Sequence, residues 1–310
     1  MTNQNGVALI IVILMISIIV ALTIQLNRDM RSEVYEAANL SDQIRLRYVA
    51  ESGIHAAEAL LLADKNSFDA LSEEWANTEM LSLKSEEFFD NASFKLLIED
   101  EGGKIPINLL VGGNAYNAPI RDMTLHLLTG HYFRLEQGTA EEMLDSIKDW
   151  IDADNETTGK GREDMVKNAP LDCIDELLMI KGVSRELFYG SDRFFGLAHC
   201  LTVFGDGKIN INTAPKAVLR AMSAQMTGEA VEALDEYRRD GKNPVSDPGW
   251  YGRVPEATGL NIPTGIITVK TDTFRIKAEA MQGRMTRQVV AVVKRAVSTK
   301  KVTTLSWRVD

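Results

Sequence analysis

Charge is missing from the start of this chain: Arg28 is its first charged side chain. An excess of basic residues is missing as well. With 34 Lys and Arg against 44 Asp and Glu, the net charge is -10, which argues against a protein built mainly to grip nucleic-acid phosphate. Signs of catalysis are equally scarce. The four histidines, His55, His126, His131 and His199, show no metal-ligand spacing, and there is no Gly-x-Ser-x-Gly elbow and no phosphate loop, so an enzyme is not expected. Cysteine is limited to Cys173 and Cys200. In an oxidising compartment these would form a disulfide, and in a reducing one they would be two free thiols. No internal repeat or low-complexity stretch is visible.

What is present starts with Val7–Ile24, VALIIVILMISIIVALTI, 18 residues without a charge. At 1.5 Å per residue this is roughly 27 Å of helix, about the hydrocarbon thickness of a bilayer. A secretory signal peptide would have a shorter apolar core closed by a small-x-small cleavage site, and none closes this one. A plain N-terminal anchor fits the hydropathy equally well. The 310 residues, 45% of them apolar, leave room for one or two folded domains behind such an anchor.

The position of Gly6 separates these readings. It stands directly before the apolar run and after the polar residues MTNQN. This arrangement resembles the leader of type IV pilins and pseudopilins, in which a membrane peptidase cuts after the glycine and the apolar helix stays on the mature chain, here beginning at Val7. Two departures are visible: no Lys or Arg precedes Gly6, and the fifth mature position, usually Glu, is Ile11. A carboxylate in a bilayer is costly unless it is paired, in pilins with the N-terminal amine of a neighbouring subunit. Ile11 offers no such partner, which suits a subunit at the end of a fibre.

Beyond the apolar run, Met30, Val34, Ala37, Ser41, Ile44 and Tyr48 recur every three or four residues, and Ala50, Ile54, Ala57 and Leu61 continue the stripe past Gly53. One long helix, half in lipid and half packed on a head domain, is expected; a coiled-coil stalk is disfavoured by the lack of sustained heptads. Phe94–Asp100 and Lys104–Leu110 flank a Glu-Gly-Gly turn and read as a hairpin, as do Thr273–Ala280 and Arg287–Lys294 around Gly283. These pairs could form one antiparallel sheet against the long helix. Between them helical patterns cover 120–129, 140–152, 174–180, 214–225 and 229–239, with Thr213 placed as an N-cap before Pro215. The segment 243–263 holds four of the eight prolines and is expected to be an exposed, irregular loop.

The densest chemical candidate is KDWIDADNETTGKGREDM, with Asp149, Asp152, Asp154, Glu156, Glu163 and Asp164. Counted from Asp152, carboxylates fall at positions one, three, five and twelve, as in an EF-hand loop, but Thr157 replaces the glycine at position six. A calcium loop that is not an EF-hand is the expectation; a helix end with solvated acids is the alternative. DELLMIKGVSRELF, Asp175–Phe188, has the look of a helix-hairpin-helix. Its turn, Lys-Gly-Val-Ser, lacks a second glycine and lies among acids, so packing is favoured over DNA binding.

Together GVALIIVILM, DWIDAD with GREDM, NAPLDCIDELLMIKGVSRELF and KININTAPKAVLRAM resemble the K-type minor pseudopilins of type II secretion systems. The resemblance implies an α+β fold: a pilin-like N-terminal helix on a small antiparallel sheet, with a large α-helical insertion. It places a leader at 1–6, a membrane segment at 7–27, a head at 28–111 and 264–310, and the insert at 112–263. Calcium in the insert would be held by Asp149, Asp152, Asp154, Glu163 and Asp164, although Arg162 departs from the family's Gly-Ala-Glu-Asp motif. A Cys173–Cys200 bridge would staple the hairpin element. Implied partners are the I- and J-type minor pseudopilins, the major pseudopilin, the prepilin peptidase, which would free and methylate Val7, and the inner-membrane assembly platform. The chain would be single-pass in the inner membrane with its body in the periplasm. A minor pilin of a type IV pilus and a membrane-tethered DNA-binding protein are the alternatives.

Overall fold

The computed structural model describes residues 4–113, 115–153, 167–191 and 194–310. Helix α1 runs unbroken over Gln4–Ala63, about 90 Å at 1.5 Å per residue. It continues past the apolar stretch because no proline interrupts it and its composition stays helix-compatible. From Leu46 onward one face, Leu46, Val49, Ala50, Ile54, Ala57 and Leu61, is buried against a sheet. Gly53 permits that approach: a Cβ there would meet Ala278 Cβ at 3.1 Å and the Phe94 ring at 3.2 Å. The stripe read from the sequence therefore splits. Met30, Val34, Ile44 and Tyr48 remain exposed, and at 100° per residue Ile44 and Tyr48 lie roughly opposite Leu46.

The sheet has four antiparallel strands in chain order: β1 (Ser93–Asp100), β2 (Thr273–Gln282), β3 (Met285–Ala296) and β4 (Lys301–Val309). The β2–β3 hairpin is as expected, with Gly283 at φ 59° in its turn. The hairpin expected within 94–110 does not form. β1 pairs instead with β2, from Ser93 opposite Met281 to Asp100 opposite Phe274, while Ile105–Pro106 runs parallel to Leu201–Thr202. Glu101–Gly103 is a 3₁₀ turn that turns the chain out of the sheet. β4 was not anticipated.

The two edges of this sheet differ. Beside β1, helix α2 (Glu79–Lys84) and its flanks supply hydroxyls in place of a fifth strand. Ser85 Oγ accepts from Phe94 N at 3.0 Å and donates to Phe94 O at 3.2 Å, Ser82 Oγ accepts from Leu96 N at 3.0 Å, and Thr78 donates to Leu96 O. The β4 edge has no such cover among the described residues.

Residues 101–272, between β1 and β2, build a second core with its own helices: α3 (Ala118–Thr129), α4 (Gln137–Ile151), α5 (Arg185–Tyr189), α6 (Lys216–Ala221) and α7 (Gly228–Arg239). Ile105, Ile107 and Leu110 belong to this core, so the insert begins directly after β1. Three expectations inside it are corrected. Residues 174–179 form a 3₁₀ helix, α6 is shorter than its apolar pattern, and Pro215, not Thr213, sits at the N-cap of α6. The proline-rich segment 243–263 is irregular and exposed at most positions, as expected, but it is pinned to the insert core. Its Trp250 is buried, stacks on Tyr237 with ring centroids 5.2 Å apart, and donates to Asn212 Oδ1 at 2.8 Å.

Candidate functional site

The stem comes first, because its chemistry is the simplest. Gly6, Val7 and Ile11 lie in the first turns of α1, and large apolar side chains from Val7 to Leu26 are exposed. Hydroxyls within this stretch are satisfied internally: Ser17 and Thr23 each donate to the carbonyl four residues back, both at 2.8 Å. Both polar side chains of the uncharged run Val7–Ile24 are thus paired without water, as a membrane demands. By length and composition, α1 is long and apolar enough to cross one.

The acidic candidate lies at the C-terminal end of α4. An apolar face of Ala140, Met143, Leu144, Ile147 and Ile151 seats this helix in the insert core and carries Asp149 and Asp152 inward, both almost fully buried. Lys148 Nζ meets Asp152 Oδ2 at 2.7 Å, and Tyr116 donates to Asp145 Oδ1 at 2.6 Å one turn earlier. Burial and Asp145 together raise the Tyr116 phenol above its ordinary range. Asp154, Glu163 and Asp164 lie outside the described residues. Two carboxylates at the negative end of a helix are the right donor type for a hard cation, but Asp152 is already neutralised by Lys148; among the described residues three carboxylates come within 4.8 Å of one another at Asp64, Asp69 and Glu73 instead.

A third group of charges, at the junction of head and insert, escaped the sequence reading. Asp100, the last residue of β1, accepts from Gly102 N at 2.6 Å, Thr213 Oγ1 at 2.6 Å and Asn210 Nδ2 at 2.8 Å. All three are neutral donors, and burial pushes the Asp100 carboxyl up to about 6. Next to it Glu101 is held by Lys104 at 2.7 Å and Arg275 at 2.6 Å. Burial opposes its charge, but these two cations prevail and hold it down at about 2. On β3, Arg295 bonds Asp69 and meets Asp64 Oδ2 at 2.8 Å, its guanidinium 4.8 Å from the Phe274 ring centroid. The signal that marks this junction in the sequence is three charges, Asp100, Glu101 and Lys104, between two apolar runs. They read as an exposed turn, and they are buried.

The remaining candidates are structural. Cys173 is exposed and Cys200 buried, and both are free thiols, so the expected bridge is not formed. Burial pushes the Cys200 thiol up to about 12. In the hairpin element Gly182 takes φ 95°, Ser184 caps α5 by accepting from Leu187 N at 3.1 Å, and Leu177, Ile180, Val183 and Phe188 are buried in the insert core. His126 is half-buried and His131 exposed.

Comparison with known proteins places this geometry in context. Residues 103–191 match the family model described as type II secretion system, protein K. The chain is similar to the type II secretion system protein K of Pseudomonas aeruginosa, 25% identical over 314 aligned positions that cover 94% of this chain and 89% of the relative. In fold it is similar to a chain in the crystal structure of the GspK-GspI-GspJ complex from the enterotoxigenic Escherichia coli type II secretion system. There the TM-score is 0.67 at 14% identity, covering 90% of this chain and 99% of the other.

Proposed function

Because this chain belongs to the protein K family of type II secretion systems and is therefore a minor pseudopilin, we propose that it stands at the tip of the periplasmic pseudopilus. There it initiates or caps the fibre with I- and J-type minor pseudopilins. The observation that carries this reading is the division of α1 into two faces. From Leu46 onward one face is spent on the chain's own head, and the other face at Tyr48, with the exposed stretch that holds Met30, Val34 and Ile44, is left for the helices of neighbouring subunits. The insert rejoins the sheet close to Leu61, near the end of α1 farthest from the apolar segment, where it would obstruct a subunit stacked above. Ile11 agrees with a terminal position, since it offers no carboxylate to a subunit above.

In this reading, prepilin peptidase cuts after Gly6, Val7 becomes the methylated N-terminus, and residues 7–27 hold the chain in the inner membrane with its body in the periplasm. The major pseudopilin and the inner-membrane assembly platform take up the complex. Asp149 and Asp152, with Asp154, Glu163 and Asp164, would hold calcium in the insert. The ion would neutralise a crowd of carboxylates and lock the segment after α4, a structural role.

Co-purification of the full chain with its cognate I- and J-type proteins tests the assignment. A stable three-protein complex is expected, and a chain that remains alone overturns it. Mass spectrometry of the membrane-bound chain checks the leader, and retention of residues 1–6 rejects that part.

A further inference from the structure

We infer that the open edge of β4 receives an extended, acidic segment of a neighbouring fibre subunit, which adds a fifth strand to the sheet. This rests on the reading of the chain as a fibre subunit. The first argument is the hydrogen-bond pattern. Asp310 and Gln288 exchange both of their main-chain bonds, so the alternation of an antiparallel ladder turns the amide and carbonyl of Val309 and Trp307 away from β3. Beyond the irregularity at Val292 and Val293 the register sets Lys301 and Thr303 toward β3 and leaves Val302 and Thr304 outward. Among the described residues nothing bonds to these outward groups.

The second argument is contrast within one sheet. The β1 edge is closed by Thr78, Ser82 and Ser85, which blunt it against a stray strand. β4 has no hydroxyl cover of this kind and no proline; its edge carries only the irregularity opposite Val292 and Val293 and the charges Lys301 and Arg308, the latter 3.7 Å from Asp175, while Leu305, Trp307 and Val309 stand exposed along it. Trp307 and Val309 pair with Ala291 and Val289, which line the α1 core, so their side chains lie on the α1 face of the sheet. An added strand would meet apolar side chains there.

Charge identifies the occupant. In a chain of net charge -10, Lys300 and Lys301 open β4 exposed and with no acidic partner among the described residues. Lys300 is held in the left-handed region at φ 50°, so the turn itself presents this pair. A second copy of this chain would bring the same two lysines to any parallel pairing, whereas an acidic strand satisfies main chain and charge together. Strand addition of this kind draws affinity from the main chain and selectivity from the flanking side chains.

The test uses the full chain in detergent, free and in complex with its I- and J-type partners, read by amide hydrogen exchange. The amides of Val302, Thr304, Trp307 and Val309 exchange rapidly in the free chain and slow by about tenfold or more in the complex. Lys300→Glu combined with Lys301→Glu weakens the complex by about tenfold while the melting temperature of the free chain holds. Val309→Pro, which deletes one outward donor, weakens it as well. A complex that forms with these amides unprotected and is indifferent to the variants overturns the strand addition and leaves the tip assignment intact. Failure to form any complex removes both.

Discussion

Thr213 donates its hydroxyl to Asp100 across 2.6 Å, joining the turn that leads into α6 to the last residue of a head strand. The sequence suggests an N-cap role for this threonine, and the fold uses it to secure the insert to the sheet.

The carboxylate it serves makes stability depend on pH. The Asp100 carboxyl lies near 6 when folded and near 3.8 when free, so between these values the folded state binds more protons and stability falls as pH rises. The stabilisation is fully present below about 4 and lost through about 6, roughly 3 kcal/mol over the window. Asp69 is shifted in the same direction by its burial. Glu101, held at about 2, acts in the opposite sense, and its contribution is lost only as pH falls below its ordinary value. Melting temperatures recorded from pH 4.5 to 7 should decline for the native chain and flatten for Asp100→Asn. An unchanged slope in the variant counts against this assignment.

Thiol reactivity should separate the two cysteines. Cys173 is exposed and labels in the native chain, whereas Cys200, buried and pushed up to about 12, labels only on unfolding. Reductant should leave the melting temperature unchanged. A reductant-sensitive melt would establish a bridge and contradict the free thiols.

Trp250 should behave as a core residue. Trp250→Ala removes the stack on Tyr237 and the bond to Asn212, at a cost of about 3–5 kcal/mol. Limited proteolysis of the native chain should spare residues 243–263, and early cleavage there would return the segment to the status of a loop.

Ser85 should matter beyond its size. It accepts from Phe94 N, and its one proton lies between Ser82 O at 2.6 Å and Phe94 O at 3.2 Å, so Ser85→Ala leaves the Phe94 amide without its partner and costs about 1–3 kcal/mol. Opening the β1 edge should also promote self-association, measured by light scattering. A monodisperse variant of unchanged stability would show the hydroxyl cover to be incidental.

Local periodicity made much of this fold legible. α1, the β2–β3 hairpin, α3, α4 and α7 follow from apolar spacing and turn residues, which act over a few positions. The α+β architecture and the resemblance to protein K of type II secretion systems followed from motifs. The pairing of β1 did not, because Phe94–Asp100 has two equally good apolar partners in sequence, and the distant one wins through Phe274 and Ile276 in the α1 core. Tertiary packing likewise drew Val245, Trp250, Val254, Ala257 and Ile262 inward, while the prolines between them stayed at or near the surface. β4 was hidden because nearly all of its side chains are exposed, so no burial pattern marks it. Of the acidic site, Asp149 and Asp152 were found where a helix end was expected, and their inward direction came only from the packing of α4.

Asp100 and Phe274 face each other as neighbours on adjacent strands, so residues 101–272 depart and return within about one strand spacing. Such a loop adds to chain-closure entropy only logarithmically with its length, and the sheet register does not depend on what fills it. The insert is therefore a graft on an otherwise continuous hairpin. A short turn joining β1 to β2 could replace it without redrawing the sheet, although Asp69, Ala70 and Arg295 would lose the partners that now bind head to insert.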